Sequence, residues 1–334
     1  MKKTVKSEEK AVRENLLKKS QEIEGEVIEG YDFNKGVDYN KIIDSFASMG
    51  FQASHLHQAI EIVNEMIKVN SKIYLGYTSN MVSSGLRDVI RYLIENKKVN
   101  VCVTSGGGFE EDIIKCLGNT FLGDFRLPGK ELREKAINRI GNLLISNNNY
   151  NKFEEFCEPI LEEIYNNQKK TGKIYTPYEI IWKFGEKINN KKSICYWAWK
   201  NKIPIYCPAI LDGSFGDMVY FFKYKHEDFK IDIAEETRQL NESTTGLKKS
   251  GVLILGAGLV KHAILNAHLY RNGADYAVYI NNAQEFDGSD AGALPEEAVS
   301  WGKLTPESKR VKVYGDATIL FPLLVAKTFA KNSI

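Results

Sequence analysis

Six apolar runs, each closed by small residues, limit what this 334-residue chain can fold into. They read "KIYLGYT", "VNVCVTS", "IPIYCP", "GVLILG", "DYAVYIN" and "VKVYGD", and most lead through a Gly- or Ser-rich turn into helical spacing, as in "GVLILGAGLVKHAILNAHL". A strand with one wet face alternates apolar with polar residues. These runs do not, so both faces must be covered. The strand, turn, helix rhythm supplies the cover and predicts an α/β fold: a single large domain on an open, mainly parallel Rossmann-like sheet flanked by helices.

The stretch 147–202, rich in Asn, Lys, Tyr and Trp, reads as a helical insertion. No linker composition divides residues 30–334, so they form one unit, and helical spacing makes the chain dense from Tyr31 onward. Residues 1–29 are charged, with weak helical spacing at Val12, Leu16 and Leu17, and are expected to form an arm, either flexible or gating a site.

Lys and Arg number 45 against 43 Asp and Glu, and a net charge of +2 gives no electrostatic case for nucleic acid or an anionic membrane. Five cysteines, an odd number without a CxxC pair, sit mostly in apolar runs and read as reduced thiols of a cytoplasmic protein. The leading lysines precede no apolar core of a signal peptide, and no segment offers the uncharged apolar length of a membrane span.

In open parallel sheets ligands bind beyond the carboxyl ends of the strands. Those ends read "TSNMVSSG", "TSGGGFEED", "ILDGSFGD", "LGAGLVKH", "NNAQEFDGSD" and "YGDAT". Glycine turns that open helices suit a pyrophosphate, although a tight turn without a ligand explains any one of them. "GAGLVK" starts like a dinucleotide fingerprint but has Lys261 in place of the third glycine, and Asp275 precedes its strand instead of ending it. An ordinary Rossmann fingerprint is therefore disfavoured.

Glu110, Glu111, Asp212, Asp217, Asp287, Asp290 and Glu297 all follow predicted strand ends and are expected to face one crevice, whereas N-capping accounts for Asp112 and Asp88. Crowded carboxylates need a compensating cation. His262 is the only histidine near them and metal-ligand spacing is absent, so an organic polycation fits better than a metal. In "EEAVSWGKLTP", Lys303 follows Trp301 and Gly302. A lysine among carboxylates is usually an ion-pair partner, but desolvation against an indole would favour the neutral nucleophile that Schiff-base chemistry needs. Trp301 could equally be core, or its face could hold a polyamine.

Several blocks, "LGYTSNMVSSGLRDVIRYLIE", "GGGFEEDIIKCL", "DGSFGDMV", "RNGADYAVYINNAQEFDGSDAGALPEEAVSWGK" and "KVYGDATILFPLLVAKTFA", closely resemble the deoxyhypusine synthase family, in one register from about Tyr31 to the C-terminus. The resemblance implies a cytoplasmic homotetramer, a dimer of dimers. It implies NAD and spermidine as cofactor and substrate, and the translation initiation factor 5A precursor as acceptor of a 4-aminobutyl group. It makes Lys303 the nucleophile and His262 and Glu111 the groups that take protons.

By the same resemblance Ser79, Asn80, Met81, Val82, Ser83, Ser105, Gly106, Gly107, Glu111, Asp212, Ala257, Asn282, Asp316 and Ala317 contact NAD. Glu110, Glu111, Asp217, His262, Gly288, Ser289, Asp290, Glu297, Trp301 and Lys303 form the spermidine pocket. Ala257, Ala263, Asn282 and the "TSGGG" turn depart from the family pattern without removing a needed charge. Alternatives are a homospermidine synthase with putrescine as acceptor, a non-catalytic activating subunit of such a tetramer, and a plain NAD-binding dehydrogenase.

Overall fold

The structure, a computed structural model, describes residues 2–331, with side chains from residue 8 onward. Six strands form the central sheet: β1 (Lys72–Tyr77), β2 (Val101–Thr104), β3 (Ile205–Tyr206), β4 (Ser250–Leu255), β5 (Ala274–Asn281) and β6 (Leu304–Tyr314). Their order is β3-β2-β1-β4-β5-β6 and every neighbouring pair is parallel. This is the doubly wound order, reversing direction once, between β1 and β4.

Alternate residues of one strand feed two different cores, which is why the runs lack polar alternation. In β1, Ile73, Leu75 and Tyr77 join the core beneath helices Phe51–Lys68 and Leu86–Glu95, whereas Tyr74 joins the core beneath helix Leu259–Leu269. In β4, Leu253 and Leu255 oppose Val252 and Ile254 in the same way. Each such aliphatic side chain contributes about 1.5–3 kcal/mol on burial. Strand glycines let the helices come close on both faces: a Cβ on Gly76 would stand 2.8 Å from Ile264 Cδ1, and one on Gly251 would stand 2.6 Å from Met66 Sδ.

Between β2 and β3 the chain makes a long excursion through a small antiparallel patch (121–122, 137–140 and 143–146) and helices Asn147–Thr171, Pro177–Ile188 and Ile194–Asn201. The helices match the expected insertion. The patch has strands of only two to four residues, too short for a periodic signal. Phe109, Phe184 and Phe215 lock the excursion to the sheet edge-to-face, with ring centroids 5.0, 5.4 and 5.6 Å apart.

Two expectations need correction. Asp112 does not cap its own helix; it lies buried inside helix Gly106–Leu117, pairs with Arg87 Nε at 2.7 Å and caps helix Ile194–Asn201 instead. It accepts from Ser193 Oγ at 2.6 Å and from the Ile194 and Cys195 amides at 3.0 Å, partners that only tertiary packing brings near. Asp88 does sit in a first turn, that of helix Leu86–Glu95. The second correction concerns density, which begins at helix Phe51–Lys68 and not at Tyr31: residues 8–30 and 32–37 are exposed, and the short helices Tyr39–Asp44 and Phe46–Met49 bury nothing fully. Apolar periodicity reports an apolar face without saying what covers it. No described helix is long and apolar enough to cross a membrane.

Candidate active site

Three turns converge at the carboxyl ends of β1, β2 and β3. Thr78 leads into the short helix Ser79–Ser83, Ser105 into helix Gly106–Leu117 and Gly213 into helix Ser214–Lys225. The glycine run allows the convergence, because a Cβ on Gly107 would stand 2.6 Å from Ser79 Cβ and one on Gly106 would stand 2.7 Å from Asp212 O. Lys115 fixes the Ser79–Ser83 helix by donating from Nζ to Val82 O at 3.0 Å and to Ser83 O and Ser84 O at 2.9 Å. Asn80 accepts from Ser79 Oγ at 3.3 Å, Met81 is half-buried, and the Val82 side chain lies in the core, so at that position only main chain can reach a ligand.

Glu110 and Glu111 open onto this junction and differ in their partners. Glu110 Oε2 accepts from Phe215 N at 2.8 Å, tying helix Ser214–Lys225 to its own. Burial raises the Glu110 pKa; the Phe215 and Ser214 amides oppose the rise, and Asp217 and Asp212 add to it. Glu111 is pushed up to about 7, first by burial and then by Glu110, with Lys115 and hydrogen bonds from Ser83 and Tyr150 opposing. Its Oε2 is buried and has no hydrogen-bond partner.

A second group lies across the β1/β4 reversal. Gly256 and Gly258, with φ of +74° and +75°, flank Ala257 and start helix Leu259–Leu269, which carries Lys261 and His262. Asn266 Nδ2 lies 2.7 Å from His262 Nε2 and Asp290 Oδ1 lies 3.5 Å from His262 Nδ1. An amide nitrogen can only donate, so Nε2 is the accepting nitrogen and the neutral ring carries its proton on Nδ1, toward Asp290. Asp290 Oδ2 is buried without a partner. Gly288, at φ +71°, closes the turn Glu285–Asp287, and Asp287 accepts from Ser289 N at 2.7 Å, a bond within its own loop.

Lys303 follows Gly302, whose φ of +73° turns the chain out of helix Pro295–Ser300, which carries Glu297. Its carbonyl accepts from the amide of Ala274, the first residue of β5, at 3.0 Å, so its main chain lies at the amino edge of the sheet. The residue is 9% exposed and Nζ lies 5.6 Å from the Trp301 ring centroid. Trp301 is 66% exposed, which makes the indole a wall and not core. Beyond β6, Asp316 caps helix Ala317–Lys327 through Thr318 N at 2.8 Å, and Ala317 is buried; Asn282 is exposed.

Six of the seven acids fall into two groups by the residues they act on. Glu110, Glu111, Asp212 and Asp217 gather beyond β1, β2 and β3, while Asp290 and Glu297 act on Lys261 near Lys303. No hydrogen bond or ion pair among the described residues joins the two groups. The residues that sequence reasoning overlooked are Lys115, Tyr150, Asn266 and Lys312; Lys115, four residues after Glu111, and Asn266, four residues after His262, each had a readable spacing on one helix, while Tyr150 and Lys312 act on groups brought near by packing. Among the described residues no cluster of three His, Cys, Asp or Glu could hold a metal.

A doubly wound parallel sheet with glycine turns at its strand ends, a buried glutamate with a raised pKa beside one of them and a shielded lysine beside an indole has the build of a Rossmann-type enzyme. The family model for deoxyhypusine synthase matches residues 41–328. The chain is 49% identical over 352 residues to the deoxyhypusine synthase of Senecio vernalis, covering 96% of this chain and 95% of the relative. With the deoxyhypusine synthase of Arabidopsis thaliana the identity is 50%, covering 96% and 95%. A crystal structure from Entamoeba histolytica that carries the same family name superposes with a TM-score of 0.68 at 34% identity, covering 91% of this chain and 97% of that one. The chain belongs to the deoxyhypusine synthase family.

Proposed function

We propose that the chain transfers the 4-aminobutyl group of spermidine to one lysine of the translation initiation factor 5A precursor, through an imine on Lys303 and with NAD as hydride carrier. The observation that carries the reading is Lys303 itself: a lysine 9% exposed, its Nζ 5.6 Å from the Trp301 ring centroid, in a family of deoxyhypusine synthases. Oxidation removes a hydride and a proton from spermidine at its secondary amine, giving an imine. The Lys303 amine adds to the imine carbon, the three-carbon diamine leaves, and the aminobutyl unit stays on Nζ. The acceptor lysine then displaces Nζ in the same way, and reduction of the new imine completes the product.

NAD fits the junction chemically. Helices Gly106–Leu117 and Leu259–Leu269 begin on either side of the β1/β4 reversal, where a Cβ on Gly256 would come 2.8 Å from Thr78 Oγ1, and backbone amides there can face a pyrophosphate. Ser79 to Ser83, Ser105 to Gly107, Glu111, Asp212, Ala257, Asn282, Asp316 and Ala317 would hold it. When bound, NAD accepts the hydride at the start and returns it at the end. Glu111, raised to about 7 with a free buried oxygen, and His262, beside Asp290, take the protons. Glu110, Asp217, Gly288 to Asp290, Glu297 and Trp301 bind the polyamine ammonium groups.

The two half-sites call for a second chain. Exposed apolar residues support a homotetramer, with Phe51 at 95%, Ile23 at 92% and Phe286, on the loop beside Asp287, at 86%. A cytoplasmic location accords with reduced thiols.

Incubation with NAD and spermidine, followed by borohydride and peptide mapping, tests the reading. A butylamine adduct trapped on Lys303 when the factor 5A precursor is absent, and on the precursor when it is present, supports it. An adduct that persists until putrescine is supplied indicates homospermidine synthesis, and no adduct overturns it.

A further inference from the structure

Lys261 stands where a third glycine would complete a dinucleotide fingerprint, and its side chain has a different task. It is 2% exposed, and its Nζ lies 5.2 Å from the Tyr279 ring and donates to Asp290 O and, at 3.1 Å, to Ala293 O. Lys312, in β6 and 4% exposed, repeats the arrangement: its Nζ lies 4.3 Å from the Tyr314 ring and donates to Ala283 O and Gly292 O, both at 2.7 Å. All four carbonyls belong to one loop, 283–293, whose only regular structure is the turn Glu285–Asp287.

Neither ammonium forms an ion pair with a carboxylate among the described residues. The consequence falls on Asp290, whose Oδ1 meets only His262, at 3.5 Å, and whose Oδ2 has no partner. An ammonium bonded to that carboxylate would occupy the acceptor a substrate amine needs. Bonded to the carbonyls, it anchors the loop, offsets part of its negative charge and leaves the carboxylate free. Burial lowers the pKa of both lysines; Asp290 and Glu297 partly restore that of Lys261, and Lys261 further lowers that of Lys312.

We propose that Lys261 and Lys312 are positioning residues for the transfer reaction: they clamp loop 283–293 by its carbonyl oxygens from the buried side, presenting the Asp290 carboxylate beside His262 to an ammonium group of the polyamine. The inference rests on the reading of this pocket as the spermidine site. It explains why a lysine is needed at position 261, since glycine there would leave Asp290 O and Ala293 O without their donor.

The test uses the full chain with Lys312→Met, Lys312→Arg and Lys261→Met, read by melting temperature, amide hydrogen exchange across 284–293, NAD affinity, and kcat and KM for spermidine. Lys312→Met should speed exchange in the loop and lower kcat/KM for spermidine by about 10²-fold, mostly through KM, with NAD affinity unchanged. Lys312→Arg, which keeps the cation and its donors, should recover most of the loss. If Lys312→Met does not fold, Lys261→Met and the Arg variant still decide the matter. Unchanged exchange and KM in the folded variants would overturn the clamp, and so would a parallel fall of NAD affinity and melting temperature, which marks a general structural role. Faster loop exchange with no borohydride adduct in the unaltered protein would sink the functional reading while the clamp stands.

Discussion

Glu110 and Glu111 are neighbours on one helix, yet Glu110 is tied to the amide of Phe215 at 2.8 Å while Glu111 keeps a buried oxygen with no partner. The first closes a helix and the second is free to exchange a proton. Glu111→Gln should lower kcat by about 10²–10⁴-fold, the usual worth of a general base. Glu110→Ala should cost about 1 kcal/mol of stability as a lost cap and raise KM for spermidine, with a smaller fall in kcat than Glu111→Gln.

The same contrast sets a pH dependence. A base acts only when ionised, and Glu111 is held near 7, so kcat/KM should climb with pH up to about 7 and then level. The acid limb should vanish in Glu111→Gln. A profile in which both proteins share that limb would transfer the role to another group.

Because no hydrogen bond or ion pair among the described residues joins the Glu111 group to the Lys303 group, each complete site is expected to draw on two chains. Mixed oligomers of Lys303→Ala and Asp217→Ala chains should regain activity that neither homo-oligomer has, up to about a quarter of the unaltered value if assortment is random and both lesions fall in half of the shared sites. Mixtures as inactive as their parents would show that one chain completes the site.

Arg87 and Asp112 make the most deeply buried ion pair of the fold, with the Arg87 side chain 6% and the Asp112 side chain 0% exposed. Removing one partner strands the other. Asp112→Ala should cost about 3–5 kcal/mol in urea unfolding, with faster amide exchange at Ile194 and Cys195, whose caps are lost. A cost below about 1 kcal/mol, the level of an exposed pair, would contradict the buried capping network.

The parallel sheet was readable because strands covered on both faces lack polar alternation, as β1 and β4 do beyond their first residues, Lys72 and Ser250. The nearness of Lys303 to Trp301 was readable because tryptophan, glycine and lysine in sequence are also neighbours in space. The division of the acids was not, since a carboxylate's place in sequence does not say which helix start it will bind, as Glu110 and Asp112 show with partners about 80 to 105 residues away. Lys261 registered only as a broken motif. Its reason lies in carbonyls of a loop 29 and 32 residues further on, beyond any local pattern.

Lys303 offers the sharpest separation of charge from chemistry. Lys303→Arg keeps a cation that can stack on Trp301, but a guanidinium stays protonated and cannot add to an imine. Its melting temperature and NAD affinity should stay near those of the unaltered protein, while the borohydride-trapped adduct and all transfer to the factor 5A precursor disappear. Lys303→Ala should lose the adduct as well, together with the packing of the buried stem against the indole. Were Lys303→Arg to retain even a tenth of the transfer, the aminobutyl group would have to pass to the acceptor without an enzyme-bound imine, and the place of Lys303 beside Trp301 would then serve polyamine binding alone.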